Sequence, residues 1–375
     1  ANSVQYLNRR KGVSMARTLA AAALLLCTIL GSISPSECFS LSLARLPSLG
    51  NRIGARGARR GGVVGGRMQS TSPPKTSDAY RFEAVGDSLP TRDSGKVSWP
   101  RLAPSRFTHP LDTQATRALK RLPFAETLVR QGFGGMVEQA IYLDNLSNSV
   151  RVGPKQLPDI YEMLQEAKEI LGLSSLSVDI FVRQNPAPNA YTMAMQGQKP
   201  FIVLHSSLIS LLSKEELQAV IAHELGHLKC EHGVWITLSN IITVFASQLP
   251  GNLGRTLGET FSASTLRWLR AAELSCDRAA LLVAQDPRVV VSVIMKLSGG
   301  GAGFGQDLNP EDYARQARDF EQESERSWMF RRMREAMTSQ LSHPLPVERV
   351  RELDKYAKSS DYRILLNSGT PIGGK

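Results

Sequence analysis

The sequence predicts a mostly helical α+β protein in which a small sheet lies next to one central helix. From residue 213 onward, apolar residues recur at helical spacing behind a polar residue that favours a helix start. The preceding run, residues 200–205, is short and apolar, as expected of a strand. Residues 177–182 partly alternate apolar and polar, which indicates a second strand, and residues 156–171 have the pattern of an amphipathic helix.

The start of the central helix is clearly marked. Ser213 and Glu216 have the S-x-x-E spacing of a capping box, in which each residue satisfies a backbone donor of the first turn. Leu217, Val220 and Leu225 then continue one apolar stripe. Side-chain directions after Ser213 can therefore be derived from helix geometry.

This helix carries an HExxH motif at residues 223–227. At about 100° per residue, His223 and His227 lie one turn apart on one face, separated by about 40°. Two imidazoles so placed can bind one tetrahedral zinc ion. Glu224 is turned about 100° away, beside the ion, where a general base for the attacking water belongs. The alternative is a chance match whose histidines have ordinary core or surface roles.

A catalytic zinc site needs a third protein ligand. His232 is nine residues after His223 and would point about 180° away on a continued helix, so we interpret it as a polar helix end. Glu273 is the better candidate, because it lies four residues before Asp277 on one face of a helix-forming segment. Asp277 would then orient a ligand histidine.

A second interpretation of the Glu273 segment remains open. Glu273 and Asp277 can form an ordinary solvated face with Arg270 and Arg278 as their partners.

HELGH at residues 223–227 followed by ExxxD at 273–277 resembles metallopeptidase family forty-eight, which includes HtpX and the CAAX prenyl endopeptidases. The resemblance covers about residues 154–356 and is closer still to the plant plastid branch associated with plastoglobules. It implies a zincin-like (gluzincin) α+β fold and a zinc metalloendopeptidase with one Zn²⁺ per chain, held by His223, His227 and Glu273, with Glu224 as base.

Two further predictions follow from the same resemblance. His343 and Arg349 match the family's C-terminal His-Pro…Arg motif and would stabilise the negative oxygen of the reaction, although a capping role before the last helix is the alternative. Asn189 and Ala190 match the family's edge strand, to which an extended substrate can add, although a plain hairpin is the alternative.

The predicted function is hydrolysis of peptide bonds in protein or peptide substrates, in plastid protein turnover. The alternative is a catalytically inactive, zinc-stabilised scaffold at a membrane or lipid surface. Nucleic acid is not an expected partner, because the net charge of +11 is concentrated at the N-terminus: residues 1–72 carry +9 and residues 73–375 only +2.

The N-terminal residues resemble a targeting leader. Arg17, the apolar run 19–30 and the small residues that follow have a signal-peptide layout. The next segment has no acid between Glu37 and Asp78, as in transit peptides. Together they predict a plastid location. A membrane anchor followed by a disordered basic segment is the alternative.

The remaining chain divides by composition. The uncharged residues 233–254 are predicted to form a buried or membrane-touching helix, with a full span as the alternative. Residues 311–338 are predicted to be one long charged helix, and Cys230 and Cys276 to be packing residues or a redox pair. The predicted units are a leader (1–72), a linker (73–105), an N-terminal helical segment (106–150), a zinc metallopeptidase domain (151–358) and a tail (359–375).

Overall fold

The computed structural model describes residues 95–121, 135–194, 199–247, 251–300, 304–305 and 307–372. The predicted leader and most of the predicted linker lie outside these residues. The described chain is mostly helical with two small sheets, which confirms the predicted α+β class.

One four-stranded sheet lies beside the central helix, with strand order β2-β3-β5-β4. The β3 and β5 strands run parallel, and the two outer strands are antiparallel to their neighbours. A second, two-stranded sheet pairs β1 with β6. The strands are β1 (Val97–Ser98), β2 (Val150–Arg151), β3 (Asp179–Arg183), β4 (Ala190–Met193), β5 (Phe201–His205) and β6 (Thr370–Pro371).

The helices account for most of the described chain, and a 3-10 turn at Pro104–Arg106 precedes the first. They are α1 (Pro110–Lys120), α2 (Gly135–Asn148), α3 (Pro158–Ile170), α4 (Ser206–Leu211), α5 (Lys214–Lys229), α6 (His232–Ser247), α7 (Gly251–Ala284), α8 (Pro287–Gly299), α9 (Pro310–Arg326), α10 (Trp328–Ser339), α11 (Pro346–Ala357) and α12 (Ser360–Asn367).

Strand β5 is buried along its whole length because the sheet is covered on both faces. Successive strand residues point to opposite faces. Phe201 and Val203 pack on the side of α2, whereas Ile202 and Leu204 join the main core, which includes α3, α5, α7 and α8. The continuous apolar run in the sequence is therefore explained by two-sided burial.

The predicted capping box is present at the start of α5. The Ser213 hydroxyl accepts a hydrogen bond from the Glu216 amide at 3.3 Å, and the Glu216 carboxylate accepts one from the Ser213 amide at 2.7 Å. These bonds satisfy two of the donors left free at a helix start. Helix α5 thus begins at the predicted residue. Its start determines the directions in which the side chains of the HExxH motif point.

Helices α5 and α7 pack at close range because residue 226 is glycine. A Cβ atom added at Gly226 would lie 3.0 Å from the Ala279 Cβ and 3.2 Å from the Cys276 Cα. Any side chain there would push the two helices apart. Gly226 therefore allows α7 to bring its acidic residues up to the histidines of α5.

The ends of the described chain depart from the predicted linker and tail. Trp99 is buried and donates its indole N–H to the Leu365 carbonyl at 2.9 Å, and Tyr362 is fully buried. Residues 97–102 and 360–371 therefore belong to the folded unit. The linker and tail assignments are wrong for these stretches, because their few apolar residues find partners in each other that no local pattern reveals.

Two predicted helices also differ. The single helix predicted over residues 311–338 is two helices, since Ser327 leaves helical geometry and caps α10 through the Met329 amide. In the uncharged segment, α6 packs Trp235 and Leu238 against Trp268 of α7. Among the described residues, no helix combines the length and the hydropathy required to cross a bilayer.

Candidate metal centre

The structure brings the three predicted ligands together. The Nε2 atom of His223 lies 3.4 Å from Oε2 of Glu273, and the Nε2 atom of His227 lies 3.3 Å from Oε1 of the same carboxylate. The two imidazole rings are 5.2 Å apart between centroids. Two nitrogen donors from one helical turn and a carboxylate from a distant helix thus converge on one point.

These separations fit a tetrahedral zinc ion. Ligand atoms held about 2.0–2.1 Å from one ion at tetrahedral angles lie about 3.3–3.4 Å from each other. Each N···O distance falls in that range, with Oε2 of Glu273 facing His223 and Oε1 facing His227. The donor set of two imidazoles and one carboxylate is one that catalytic zinc sites use.

Cys276 is a competing donor that the sequence analysis did not weigh as a ligand. Its sulfur, His223 and His227 offer ligand atoms within 4.8 Å of one another. Burial raises the pKa of the Cys276 thiol well above its usual value, and Sγ contacts the His232 ring at 3.7 Å. Glu273 is the better third donor, because its oxygens lie 3.4 and 3.3 Å from the Nε2 atoms of His223 and His227, the spacing expected of ligand atoms on one zinc ion.

Electrostatics hold Glu273 in its charged form. Burial opposes ionisation, but the charge of His343 and hydrogen bonds with His223, His227 and His343 outweigh it, so the pKa of Glu273 lies well below its usual value. Burial also lowers the pKa of His223, yet hydrogen bonds to Asp277 and Glu273 raise it to about 10 in the metal-free protein. A cation, whether proton or metal, is therefore strongly favoured between these groups.

Asp277 lies behind His223, as expected. Its Oδ1 is 3.1 Å from the His223 Nδ1, which directs the Nε2 atom of that ring toward Glu273. Arg349 donates two hydrogen bonds to the same carboxylate, from Nε at 2.8 Å and from Nη2 at 2.6 Å. Against the effect of burial, the charge and hydrogen bonds of Arg349 lower the pKa of Asp277 to about 2. The predicted direct role of Arg349 in oxyanion stabilisation does not match these contacts, because its guanidinium is committed to Asp277.

The alternative of a solvated acidic face on α7 is wrong. Glu273 and Asp277 are both buried. Arg270 donates to the carbonyls of Thr338 and Leu341, and Arg278 donates to the carbonyls of Phe107 and Thr108.

Glu224 lies beside the ligands and is fixed by the sheet. Thr192 of β4 donates its hydroxyl to the Glu224 Oε2 at 2.7 Å. Strand β4 is the last strand in the sheet order, as predicted for residues 189–192. Ala190 pairs with Leu204 of β5, and the Asn189 carbonyl accepts from the His205 amide at 2.9 Å. The sequence indicated the strand but not the contact between Thr192 and Glu224.

His343 is the last of the predicted site residues, and it contacts Glu273. It lies in the loop before α11, about one-third exposed, with Nδ1 2.9 Å from Oε2 of Glu273. It is therefore the part of the C-terminal motif that reaches the candidate metal centre directly.

His232 and Asp112 form a further chain of contacts that the sequence analysis missed. The His232 Nδ1 is 3.1 Å from the His227 Nδ1, and its Nε2 is 3.1 Å from Oδ2 of Asp112. Trp268 and Ser275 also donate to Asp112, at 3.0 and 2.6 Å. Burial favours the neutral carboxyl, but these donors outweigh it and lower the pKa of Asp112 to about 2.

The interpretation of His232 as a polar helix end that points away from the motif is wrong, because α5 ends before it. Glu231 takes the left-handed conformation, with φ of 57°, between α5 and α6. This turn brings His232 back toward His227, where it is 1% exposed. Five-residue spacing after the second motif histidine was the only sequence signal, and nothing near Asp112 marks it as a partner.

The sequence comparisons agree with this geometry. Residues 154–357 match the family described as Peptidase family M48. The chain belongs to this family and is a metalloprotease.

Two proteins of known name are similar to this chain. Plastoglobule-localized metallopeptidase 48, chloroplastic, of Arabidopsis thaliana is 50% identical over 262 residues, covering 69% of this chain and 74% of that protein. Protease HtpX homolog 2 of Methanosarcina mazei is 26% identical over 191 residues, covering 44% of this chain and 64% of its own length. The first relationship supports a plastid location for the chain, as the leader predicted.

Among solved structures, the crystal structure of S. mikatae Ste24p matches 65% of this chain and 58% of its own chain. The TM-score is 0.33 and the identity 16%.

Proposed function

We propose that the chain is a zinc-dependent endopeptidase of gluzincin-like fold that hydrolyses peptide bonds of proteins in plastid protein turnover. The observation that carries the proposal is the pair of distances, 3.4 and 3.3 Å, from Glu273 to His223 and His227. These three residues would hold one Zn²⁺. When bound, the ion polarises the scissile carbonyl and increases the acidity of water.

The other side chains have separate roles in the proposed reaction. Glu224 takes a proton from the attacking water and passes it to the leaving nitrogen. Thr192 fixes the Glu224 carboxylate by its 2.7 Å hydrogen bond. His343, next to Glu273, donates to the negative oxygen that develops on the former carbonyl. Arg349 acts at one remove, by holding Asp277 against His223.

Substrate binding is assigned to strand β4. An edge strand can pair with an extended segment through main-chain hydrogen bonds, which gives weak preference for particular side chains. Because Thr192 of this strand contacts Glu224, a segment added beside β4 would run close to the base. Proteins or peptides with an accessible extended segment are the expected substrates.

The proposed place of action is the plastid lipid particle or the membrane nearby. The support is the 50% identity to a protein whose name places it at plastoglobules.

The test is cleavage of casein by the purified protein, with and without a zinc chelator and with zinc restored. We expect cleavage that the chelator abolishes and zinc restores. Glu224→Gln should abolish cleavage while the zinc content stays at one ion per chain, because Glu224 is not among the three donors. Glu215→Gln, the same change at an exposed position of α5, is the matched control and should remain active. Bound zinc without any cleavage by the unaltered protein would instead favour an inactive scaffold.

A further inference from the structure

We propose that α10 is a lipid-docking helix that places the candidate metal centre beside a surface with anionic headgroups. Of the thirteen strongly exposed large apolar side chains in the described residues, five lie on this one helix of 12 residues. They are Trp328, Met329, Phe330, Met333 and Met337. Scattered exposed apolar residues are normal on a protein surface, whereas a concentration of this kind marks an interaction surface.

Four of these five exposed residues form a stripe. Met329, Met333 and Met337 recur every four residues, and Phe330 lies beside the last two, so these four fall within an arc of about 100°. Trp328, at the N-terminal end of the helix, is 72% exposed. An amphipathic helix with such a face lies in the interfacial plane of a bilayer or monolayer.

The side of α10 next to the stripe is fixed to the protein, through residues about 40° and 80° past Phe330 on the helix. Arg334 donates to the Ser324 hydroxyl at 3.0 Å and pairs with Glu348 at 3.4 Å. Arg270 of α7 donates to the Thr338 carbonyl at 3.0 Å. The apolar stripe therefore stays exposed on a helix that is tied to the body along the adjoining side.

Positive charge on α10 favours an anionic lipid surface as the partner of the apolar stripe. Arg331 and Arg332 are exposed, and within the described part of the chain neither guanidinium has a hydrogen bond or an ion pair. Each basic residue near an anionic lipid surface adds to binding. A second copy of this chain fits less well, because a two-fold contact through the stripe would bring equal charges near each other.

The position of α10 links docking to the site. Three residues, 340–342, connect α10 to His343. Arg270, which donates to α10, lies three residues before Glu273 on α7. A docked α10 would thus hold the candidate centre near the lipid surface. The substrate class that follows, which rests on the proposed function, is proteins bound at that surface.

The test uses the full chain and vesicles of phosphatidylcholine, with and without phosphatidylglycerol, carrying brominated acyl chains. Of the four tryptophans, Trp99, Trp235 and Trp268 are buried, so quenching reports on Trp328. We expect quenching that Trp328→Phe removes. Combined Met329→Ser, Met333→Ser and Met337→Ser should weaken vesicle binding by about tenfold or more. Arg331→Gln and Arg332→Gln should each cost about fivefold on anionic vesicles only.

The matched control is Leu143→Ser with Ile364→Ser, which alters exposed apolar residues on α2 and α12 and should leave quenching and binding unchanged. Unquenched Trp328, or binding that survives the triple methionine change, would overturn the proposal. Self-association that depends on α10, or binding of a soluble protein that excludes vesicles, would also overturn it.

The failure of docking and the failure of the proposed hydrolysis give different results. The Glu224→Gln variant should bind vesicles normally, and the triple methionine variant should still cleave soluble casein.

Discussion

The Nδ1 atom of His232 lies 3.1 Å from the Nδ1 atom of His227. With the Nε2 atom of His227 directed to the candidate metal centre, its Nδ1–H donates to His232, and the Nε2–H of His232 donates to Asp112. This assignment follows from the hydrogen-bond network and requires a neutral His232. Burial supports that state, since it lowers the pKa of His232 despite the bond to Asp112.

Asp112→Asn is expected to weaken zinc binding by about tenfold, the low end of the usual effect of losing a group that orients a ligand histidine, because Asp112 acts on His227 through His232. Asparagine retains one acceptor oxygen where four side-chain donors now converge, so the support of His232 is lost. Zinc affinity measured by chelator competition checks this. Asp159→Asn, at an exposed ion pair on α3, is the control. Equal zinc affinity in both variants would show that the chain of contacts is only structural.

Gly226→Ala is expected to lower both zinc affinity and stability. The added methyl group would meet the Cys276 backbone at 3.2 Å, and backbone cannot move aside without separating α5 from α7. Such overpacking costs about 1–3 kcal/mol. Gly233→Ala is the control, because its Cβ would meet only the Ala194 Cβ at an ordinary 3.7 Å. Thermal unfolding and zinc titration of the two variants would show equal losses if close helix packing were unimportant.

Thr192→Val is expected to reduce kcat by about tenfold or more while zinc content stays at one ion per chain. The change keeps the side-chain shape but removes a hydrogen bond to a charged carboxylate, which is worth about 1.5–3 kcal/mol. Steady-state cleavage of a fluorogenic peptide separates kcat from KM. The control, Thr256→Val, removes a hydroxyl from an exposed position on α7. An unchanged kcat would remove Thr192 from the proposed machinery.

The ion pair between Asp277 and Arg349 is expected to make the stability of the metal-free protein depend on pH. Asp277 has a pKa lowered to about 2 from 3.8, so its contribution is fully present above about 4 and is lost as pH falls toward about 2. The loss is about 2 kcal/mol. Urea unfolding at pH about 6 and about 3 would show about half of this loss, roughly 1 kcal/mol, because pH 3 lies midway between the two pKa values.

The double variant Asp277→Asn, Arg349→Met is the comparison for this measurement. It removes both charges, so neither is left buried without a partner. Its stability should change less between the two pH values than that of the unaltered chain. Parallel pH dependence in the two proteins would contradict the assignment.

The sequence predicted the parts of the structure that depend on local rules. The capping box, the start of α5 and the common facing of His223 and His227 follow from helix geometry alone, and β5 followed from its apolar run. Prediction failed at residues 360–371 and at Ser327, where short segments gain their structure from distant partners or from a single turn.

By itself, the sequence determined that two imidazoles and a base lie on one helix, because their angular separation is fixed by spacing along the chain. Only the tertiary structure decided what surrounds them. The left-handed turn at Glu231 redirects His232, and the fold joins it to Asp112, while Arg349 reaches Asp277 across 72 residues of chain. These contacts depend on how separate helices pack, a long-range property that no local residue pattern encodes.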